Sequence, residues 1–354
     1  MNQTTMRAIL LTGHGDYDKL EYREDVAIPQ PAPHQVLLRI RACGLNNTDI
    51  NTRTAWYSKS DNPEDAAWGG SSIAFPLIQG ADAVGEVIAV GDDADTSLLH
   101  KRALIDVWIR DPDDPLDMNK CRYFGSEVDG GYAEYAVVDY RNVFPIESDL
   151  SNEELATFAT SYVTAENMLD RAQVAAGDTV LIPGASGGVG SALIQLVKRR
   201  GATAIAMAGE DKHDQVQAVG PDALLPRSPD DLGAALQTAI GKDTIDVVAD
   251  VVGGPLFPAF IEALGRGGRY TCSGAIAGPI VDLDLRSMYL KDLTFTGATV
   301  VPPGTFGRLV KYIEDGEIRP LLAKVFPLKD LVKAQRMFVA KQHVGNIAVT
   351  MQSD

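Results

Sequence analysis

Residues Val180 to Gly201 read VLIPGASGGVGSALIQLVKRRG, and this stretch decides the fold. Its first three residues, Val180 to Ile182, are an apolar run typical of a buried parallel strand. A glycine-rich turn, Gly184 to Gly190, follows, and Ser191 to Arg200 predict a helix that ends at the last glycine of the stretch. Thr203 to Ala208 predict the next buried strand. Strand, turn, helix and strand in this order predict a dinucleotide-binding βαβ unit.

The glycines of the turn have separate physical roles. Gly184 and Gly187 let the backbone turn tightly and approach a pyrophosphate, whose charge is favoured at a helix N-terminus. Gly190 lets the helix pack closely against the strand. Such a turn also occurs as a strand-to-helix connection that binds nothing, but the agreement of all four elements favours cofactor binding.

Length, composition and charge bound the class of protein. The chain has 354 residues, which favours two domains over one core. Its 45% hydrophobic and 23% charged residues are typical of a soluble globular protein. The formal net charge of −16 argues against nucleic acid or an anionic membrane as a partner. A polyanionic cofactor therefore needs a local positive charge or a helix N-terminus.

Targeting and cysteine signals indicate a cytoplasmic protein. The three cysteines, Cys43, Cys121 and Cys272, are widely spaced and imply no disulfide framework. The sequence does not begin with a basic segment followed by an apolar run, and no apolar stretch is long enough to span a bilayer. We therefore expect no membrane association.

The first 150 residues are rich in strand signals. Many short strands with turn chemistry predict a compact β-barrel-like domain. The predicted strands are Met6–Leu11, Gln35–Ala42, Gly80–Val90, Arg102–Ile109 and Tyr132–Val138. Two irregular segments interrupt them, Trp56 to Phe75, interpreted as a surface loop over the site, and Asp111 to Val128. Either segment is equally explained as a solvated insertion without function.

From Ser151 the pattern changes to helices alternating with strands. Ser151 and Glu154 form a capping box at the start of a helical run that continues to about Gln173. The alternation that follows predicts a doubly wound parallel sheet. Its later elements are the strand Ile245–Val252, the helix Leu256–Leu264, and the strands Gly268–Ser273 and Leu293–Thr299. In the tail we predict helices at Arg308–Asp315 and Lys329–Ala340, and a strand at Asn346–Met351 that can return to the first domain.

Several motifs, in order and spacing, resemble one family. They are Ala42-Cys-Gly-Leu-Asn-Asn-Thr-Asp49, Gly80-Ala-Asp-Ala-Val-Gly-Glu-Val87, Gly130-Gly-Tyr-Ala-Glu-Tyr135, Tyr162-Val-Thr-Ala165, the glycine turn, and Asp246-Val-Val-Ala-Asp-Val-Val-Gly-Gly254. Over nearly its whole length the chain resembles the medium-chain dehydrogenase/reductase superfamily, specifically its zinc-independent quinone oxidoreductase and enoyl reductase branch.

The resemblance implies an α/β architecture of two domains. A GroES-like β-barrel catalytic domain is expected over residues 1–155 and 300–354, and a Rossmann domain with a doubly wound parallel sheet over residues 156–299. The resemblance also implies a homodimer, because this fold commonly pairs the edge strands of its cofactor domains.

The resemblance further implies that the chain binds no zinc. The ligand positions of zinc-containing relatives, and the glutamate beside one of them, fall here on Asn46, Ala81, Thr160 and Asp82. Zinc prefers thiolate, imidazole or carboxylate ligands, and an amide, a methyl group and a hydroxyl do not make such a site. The four-cysteine structural zinc lobe is also missing, because Asp111 to Val128 contains only Cys121.

Without zinc, a reductase polarises its substrate with hydrogen-bond donors and hydride geometry. Asn46 resembles the asparagine of the quinone oxidoreductase motif and is expected to donate through its amide. Tyr162 and Tyr132 are candidate hydroxyl donors, although each is equally explained as a packed aromatic side chain. We expect Asp49 to fix the local turn and Cys43 to be buried rather than nucleophilic.

The cofactor choice depends on the end of the second strand of the βαβ unit. An acidic residue there binds the ribose hydroxyls of NAD and repels a 2′-phosphate. The position that matches the family's aspartate is Gly209, and Lys212 can pair with a phosphate, which favours NADPH. Glu210 and Asp211 keep NADH possible. The residues expected to bind the cofactor are Thr164, Gly184, Ala185, Ser186, Gly187, Gly188, Val189, Gly209, Lys212, Val252, Gly253, Ser273 and Gly274.

The function expected from this resemblance is that of an NADPH-dependent, zinc-free oxidoreductase that transfers hydride to a quinone or an α,β-unsaturated carbonyl. Trp56, Tyr57, Trp68 and Phe306 suggest a small, partly apolar acceptor, unless they cap the edge of the core. One alternative is an alcohol or aldehyde dehydrogenase-type reductase of the same fold. Another is a non-catalytic NADPH-binding sensor.

Overall fold

The computed structural model describes residues 4–58 and 73–351 of the chain. The chain divides into two compact units. The first, called here the antiparallel unit, contains Met1–Thr160, Pro302–Gly316 and Pro320–Asp354. The second, the parallel-sheet unit, contains Ser161–Val301 and Glu317–Arg319. No helix among the described residues has both the length and the apolar character needed to cross a bilayer.

Strands dominate the first part of the chain. Its elements are β1 (Thr5–Leu11), β2 (Leu20–Ala27), β3 (Gln35–Gly44), α1 (Asn47–Arg53), β4 (Leu77–Ile78), β5 (Asp82–Val90), β6 (Arg102–Ile105), β7 (Trp108–Ile109), β8 (Arg122–Tyr123), β9 (Tyr135–Asp139), β10 (Val143–Pro145) and α2 (Asn152–Leu155).

Helices and strands then alternate. The elements are α3 (Ala159–Arg171), β11 (Thr179–Ile182), α4 (Gly188–Arg199), β12 (Thr203–Ala208), α5 (His213–Gln217), β13 (Ala223–Pro226), α6 (Leu232–Ile240), β14 (Ile245–Asp250), α7 (Phe257–Ala263), β15 (Leu264–Cys272), α8 (Leu285–Leu290) and β16 (Thr294–Gly297). The tail contains α9 (Thr305–Glu314), β17 (Leu322–Pro327), α10 (Leu331–Ala340) and β18 (Asn346–Thr350).

The antiparallel unit is built on two sheets and a short strand pair. One sheet has the order β2-β1-β4, and the larger has the order β10-β6-β5-β3-β18-β17 with β9 also paired to β3. In the larger sheet β18 pairs antiparallel with β3, with Val349 opposite Cys43, so the tail completes this sheet. Buried aliphatic side chains from β1, β3, β5, β18 and α10 form its core.

The parallel-sheet unit confirms the predicted doubly wound sheet. Its six strands are parallel and have the order β13-β12-β11-β14-β15-β16. Numbered within the unit, this is the 3-2-1-4-5-6 order of dinucleotide-binding folds. The strand order reverses between β11 and β14, and ligands of such folds bind outside the carboxyl ends of the strands at that point.

Two glycines of the turn between β11 and α4 leave no room for a side chain. Gly184 has a φ of +68°, which side chains other than glycine rarely adopt, and a Cβ there would lie 2.9 Å from Val252 Cγ2. A Cβ on Gly190 would lie 2.3 Å from the carbonyl oxygen of Gly184. The close packing predicted from the glycine turn is therefore confirmed in its geometry.

Several predicted elements have different bounds in the structure. The helical run after Ser151 is broken, because α2 ends at Leu155 and the Thr157 hydroxyl donates to the Glu154 carbonyl at 2.7 Å. The predicted strand from Arg102 to Ile109 is split into β6 and β7, because Asp106 leaves the sheet and accepts from the Trp108 amide at 3.1 Å.

The segment Asp111 to Val128, predicted to be irregular, contains β8 and a 3₁₀ turn at Met118–Lys120. Most of the predicted loop from Trp56 to Phe75, including Trp68, lies outside the described residues. Short 3₁₀ turns also occur at Tyr17–Lys19, Thr96–Leu98, Tyr140–Asn142, Glu210–Lys212, Gly254–Leu256 and Leu328–Asp330.

Candidate active site

A group of polar side chains lies inside the antiparallel unit, where hydrophobic residues would normally be found. We call Asn46, Asp49, Asp82, Tyr123, Tyr132 and Thr160 the polar cluster. Five of them are buried and Thr160 is half-buried. Buried polar groups are costly unless they are hydrogen-bonded, so their partners decide what the cluster can do.

Asp49 fixes the start of α1, as predicted. Its Oδ2 accepts from the Asn46 backbone amide at 2.7 Å and from the Tyr132 hydroxyl at 2.8 Å. Its own carbonyl oxygen accepts from the Gln79 side chain at 3.0 Å. Asn46 therefore occupies the N-cap position of α1 with little freedom to move.

The side-chain amide of Asn46 is the unsatisfied member of the cluster. Asn46 is 7% exposed, and its Nδ2 atom makes no hydrogen bond of normal geometry in the part of the chain that the structure describes, although it is near enough to Asp82 to lower the pKa of that carboxyl. A buried donor without a partner is costly, because it has lost its water without gaining a hydrogen bond. An acceptor atom bound at this position would remove that cost.

A second set of hydrogen bonds joins three residues that are distant in sequence. Both the backbone amide and the hydroxyl of Thr160 donate to Oδ1 of Asp82, the amide at 2.8 Å. The Thr160 hydroxyl lies 2.8 Å from the Tyr123 hydroxyl, and either group can be the donor. Tyr123 had not been expected at the site, because it comes from a segment with no regular pattern.

The two buried carboxyls have strongly raised pKa values. Burial raises the pKa of Asp49 to about 7, against the hydrogen bonds from Asn46 and Tyr132, and the nearby Asp82 raises it further. Burial raises the pKa of Asp82 to about 6, against the influence of Thr160 and Asn46. Burial, with repulsion from both carboxylates, also raises the pKa of the Cys43 thiol, which argues against a nucleophilic thiolate.

The residues at the zinc positions of the family do not form an apparent metal site. Of Asn46, Ala81, Asp82 and Thr160, only Asp82 carries a side chain that commonly binds zinc, and it already accepts two hydrogen bonds. Within residues 4–58 and 73–351, no group of three or more His, Cys, Asp and Glu side chains is arranged to hold a metal ion. The absence of zinc stays a prediction.

In the parallel-sheet unit, the residues predicted to bind the cofactor, apart from Thr164 on α3, follow the carboxyl ends of β11, β12, β14 and β15. Gly184, Ala185 and Ser186 follow β11, and α4 begins at Gly188 with no side chain capping its N-terminus at Gly187. Among the described residues, no side chain therefore caps the amide groups of the first turn of α4, which includes Val189, where a pyrophosphate would bind. The geometry fits a dinucleotide.

A buried carboxylate positions the loop after β14. Asp250 accepts from the amide of Val252 at 2.6 Å and from that of Gly253 at 3.1 Å. It also accepts from the Tyr270 hydroxyl at 2.8 Å, and burial raises its pKa. The predicted contacts Val252 and Gly253 are thus placed by two residues that were not predicted. An acidic residue that ends a buried strand before two glycines is the signal that could have identified Asp250.

The remaining predicted contacts have varied surroundings. After β15, Ser273 donates its hydroxyl to the Ala298 carbonyl at 2.6 Å, and a Cβ on Gly274 would lie 3.1 Å from the Val251 carbonyl oxygen. After β12, a Cβ on Gly209 would lie 2.6 Å from Oδ1 of Asp211, so this carboxylate folds back over the glycine. Half-buried Lys212 ends the same turn.

Tyr162 and Thr164 lie on α3 in the parallel-sheet unit. The Tyr162 hydroxyl donates to the Arg319 carbonyl at 2.7 Å and accepts from the Gln195 amide at 2.9 Å. Tyr132 belongs to the antiparallel unit together with Asn46, to which Asp49 links it. Of the three predicted catalytic residues, Asn46 and Tyr132 therefore lie in one cluster, linked through Asp49. The third, Tyr162, uses its hydroxyl to donate to a backbone carbonyl.

Comparisons with known proteins agree with this geometry. Residues 32–148 match the family model described as alcohol dehydrogenase GroES-like domain, and residues 188–315 match the one described as zinc-binding dehydrogenase. The second match includes none of the positions equivalent to zinc ligands, so it does not test for zinc.

Relatives match over almost the full chain. The quinone oxidoreductase of Homo sapiens is 25% identical over 95% of this chain and 95% of its own. A solved structure of a candidate alcohol dehydrogenase from Sinorhizobium meliloti 1021 is 46% identical, with a TM-score of 0.91, over 98% of this chain and 97% of its own. The 2-octenoyl-CoA carboxylase reductase CinF, solved with NADP and 2-octenoyl-CoA, is 25% identical, with a TM-score of 0.86, over 99% of this chain and 88% of its own.

The raised pKa of Asp49 predicts how stability depends on pH. A carboxyl that stays neutral in the folded protein up to about pH 7, but ionises near 3.8 when unfolded, makes the folded state bind more protons between these values. Stability from this group is therefore present at low pH and lost as the pH rises through that window, by up to about 1.4 kcal/mol per pH unit. We expect Asp49→Asn to reduce the fall in melting temperature between about pH 4.5 and 7.5.

The control is Asp92→Asn, which changes an exposed carboxyl in the turn after β5 and should keep the wild-type pH dependence. Thermal unfolding followed by circular dichroism measures both variants. A wild-type slope in Asp49→Asn would contradict the assignment of a neutral Asp49.

Proposed function

Because the chain belongs to the medium-chain dehydrogenase/reductase superfamily, in its quinone oxidoreductase-like branch, and is an NAD(P)H oxidoreductase, we propose that it transfers hydride from NADPH to a quinone or an α,β-unsaturated carbonyl without zinc. The unsatisfied amide of Asn46 carries this proposal. As a buried donor, this amide would bind the carbonyl oxygen of an acceptor and stabilise the negative charge that develops there.

Different residues of the chain would bind the cofactor and position the donor. NADPH supplies the hydride when bound. The glycine turn and the N-terminus of α4 would hold its pyrophosphate, while Asp250 would keep the loop at Val252 and Gly253 in place for the nicotinamide half. Asp49 and Tyr132 would keep Asn46 at the start of α1, so that its amide needs little reorganisation when charge builds up.

The names of two relatives support the acceptor class. The human relative is a quinone oxidoreductase, and CinF acts on an unsaturated thioester. Both acceptor types accumulate negative charge on an oxygen after hydride addition. An aldehyde reductase also accumulates charge on oxygen, and the S. meliloti relative keeps this alternative open. A sensor that binds NADPH without turnover would leave the Asn46 donor without a purpose.

The first test is NADPH oxidation by chelator-treated protein, offered a 1,4-quinone, a 2-alkenal and a simple aldehyde. Turnover of quinone or alkenal after metal removal supports the proposal. Turnover of aldehyde alone, lost with the metal, would establish the alternative reductase. Cofactor binding without any turnover would favour the sensor.

Replacing Asn46 tests the donor directly. We expect Asn46→Ala to lower kcat for the preferred acceptor by about 10²- to 10³-fold, the usual loss when one oxyanion donor is removed. The matched control is Asn47→Ala, because Asn47 is adjacent but exposed, with its side chain on Lys341 at 2.9 Å. An Asn46→Ala enzyme as active as the Asn47→Ala enzyme would exclude the donor role.

The cofactor preference depends on two neighbours at the end of β12. Lys212 can pair with a 2′-phosphate, whereas the Asp211 carboxylate over Gly209 can bind ribose hydroxyls instead. We propose that Lys212 prevails and NADPH is preferred. Lys212→Ala should lower the ratio of kcat/KM for NADPH to that for NADH by about tenfold, equivalent to ~1.4 kcal/mol, and Asp211→Asn should raise it.

The control for the cofactor test is Lys242→Ala. Lys242 is exposed and precedes β14, so it lies at the amino ends of the strands, whereas Lys212 follows the carboxyl end of β12. A wild-type preference for NADH, with no change in Lys212→Ala, would show that Asp211 sets the preference.

We also propose a homodimer in the cytoplasm with a small, partly apolar substrate. The free cysteines fit a reducing compartment. The segment between β15 and the edge strand β16 carries five exposed apolar side chains: Ile276, Ile280, Leu285, Tyr289 and Leu290. Such side chains commonly mark protein interfaces.

The dimer proposal can be tested by sedimentation velocity. The wild-type protein should sediment at twice the mass of one chain, and Ile280→Glu combined with Leu285→Glu should yield monomers, because burying two carboxylates is costly. Leu116→Glu, which changes an exposed leucine of the antiparallel unit, should leave the mass unchanged. A wild-type monomer would refute the proposal.

A further inference from the structure

Hydride transfer leaves an anion on the acceptor, and the reduction is complete only when a proton arrives. We infer that Tyr123, Thr160 and Asp82 form a proton-delivery chain, with Tyr123 as the residue that protonates the acceptor. This inference rests on the proposed reduction, and it assigns a role to three side chains that the proposal does not otherwise use.

The geometry provides an uninterrupted path for a proton. Oδ1 of Asp82 is hydrogen-bonded to the Thr160 hydroxyl, and that hydroxyl lies 2.8 Å from the hydroxyl of Tyr123. The Tyr123 ring is held by an edge contact with Trp108, with ring centroids 5.0 Å apart. The backbone amide of Tyr123 donates to the Glu127 carboxylate at 2.9 Å. The three groups are therefore joined by consecutive hydrogen bonds, and Tyr123 is held in place by its neighbours, as proton transfer requires.

Tyr123 cannot deliver a proton alone. Burial and the nearby Asp82 raise the pKa of Tyr123 well above its usual range, so a free tyrosinate would be costly. The proton that Tyr123 loses must be replaced in the same step. Thr160 is the hydroxyl within reach, and it in turn needs a donor.

Asp82 is that donor when it is protonated. Its pKa of about 6 leaves a fraction of the molecules protonated near neutral pH. When Asp82 is protonated, its hydrogen bond with the Thr160 hydroxyl is reversed from the one described above. The carboxyl proton then passes to the oxygen of Thr160, the Thr160 proton to the oxygen of Tyr123, and the Tyr123 proton to the acceptor anion. Asp82 is left as a carboxylate that again accepts from the Thr160 hydroxyl, and it must regain a proton before the next turnover. The acceptor gains one hydride and one proton.

Other titratable groups act on the same carboxyl. Asp49, Cys43, Tyr123 and Tyr132 all interact with the charge of Asp82. An ionised Asp49 disfavours a second negative charge at Asp82 and therefore favours the protonated donor. The pH dependence of the rate then belongs to the coupled pair of carboxyls and does not by itself identify the donor.

The test is a matched pair at Thr160. Thr160→Val removes the hydroxyl link but keeps the backbone amide that donates to Asp82 at 2.8 Å, and Thr160→Ser keeps both. We expect Thr160→Val to lower kcat for 2-alkenal reduction by about 100-fold, within the usual range for acid–base catalysis, and Thr160→Ser to stay within about threefold of wild type. Tyr123→Phe should behave like the valine variant.

Solvent isotope effects separate a proton path from a structural effect. Because several protons move together, wild-type kcat should depend on the deuterium fraction along a curve. Thr160→Val and Tyr123→Phe should lose this curvature while KM for NADPH stays within about threefold of wild type. Tyr135→Phe, which removes a hydroxyl elsewhere in the same unit, should keep it.

The outcomes distinguish this inference from the proposed function. If the wild-type protein oxidises NADPH with none of the acceptors offered, both the proposed function and the proton chain are overturned. A wild-type enzyme that reduces the alkenal, with equal kcat and equal curvature in Thr160→Val and Thr160→Ser, supports the function and overturns the proton chain.

Discussion

A buried carboxyl group that accepts from one or two backbone amides and from one tyrosine hydroxyl organises each unit of this protein. In the antiparallel unit, Asp49 accepts from the Asn46 amide and from Tyr132. In the parallel-sheet unit, Asp250 accepts from the amides of Val252 and Gly253 and from Tyr270. Each carboxylate gives up hydration, which its hydrogen bonds offset only in part, and both pKa values are raised. In exchange, an irregular piece of backbone at the proposed site has one defined conformation.

Local signals in the sequence predicted the elements whose stability is local. The βαβ unit follows from short-range hydrophobic periodicity and from a glycine turn in which Gly184 and Gly190 leave no room for a side chain, and the structure confirms its strands, turn and helix. The edge strands β2 and β17 were not predicted, because their many exposed or half-buried positions give no clear apolar alternation. The interruption at Asp106 depends on a carboxylate that leaves the sheet, which a hydrophobic pattern cannot show.

The polar cluster shows the same division between local and distant information. Asn46 and Tyr132 were predicted as candidate donors from the resemblance, and the role of Asp49 in fixing the turn follows from a residue three positions after its N-cap. Asp82 and Thr160 were noticed only as positions where zinc ligands are lacking. Their bond spans 78 residues, and the contact of Thr160 with Tyr123 spans 37, so no local pattern could have joined them.

The charge of the protein limits how it can hold a polyanionic cofactor. With a net charge of −16, long-range attraction works against binding, and local cations must compensate. Several candidates in the parallel-sheet unit are already paired with carboxylates: Lys198 with Asp222, Arg199 with Glu317, Arg200 with Glu166, Arg269 with Asp178 and Lys291 with Glu262. Backbone amides at the start of α4 carry no such partner charge, so the glycine turn must supply much of the affinity for the pyrophosphate.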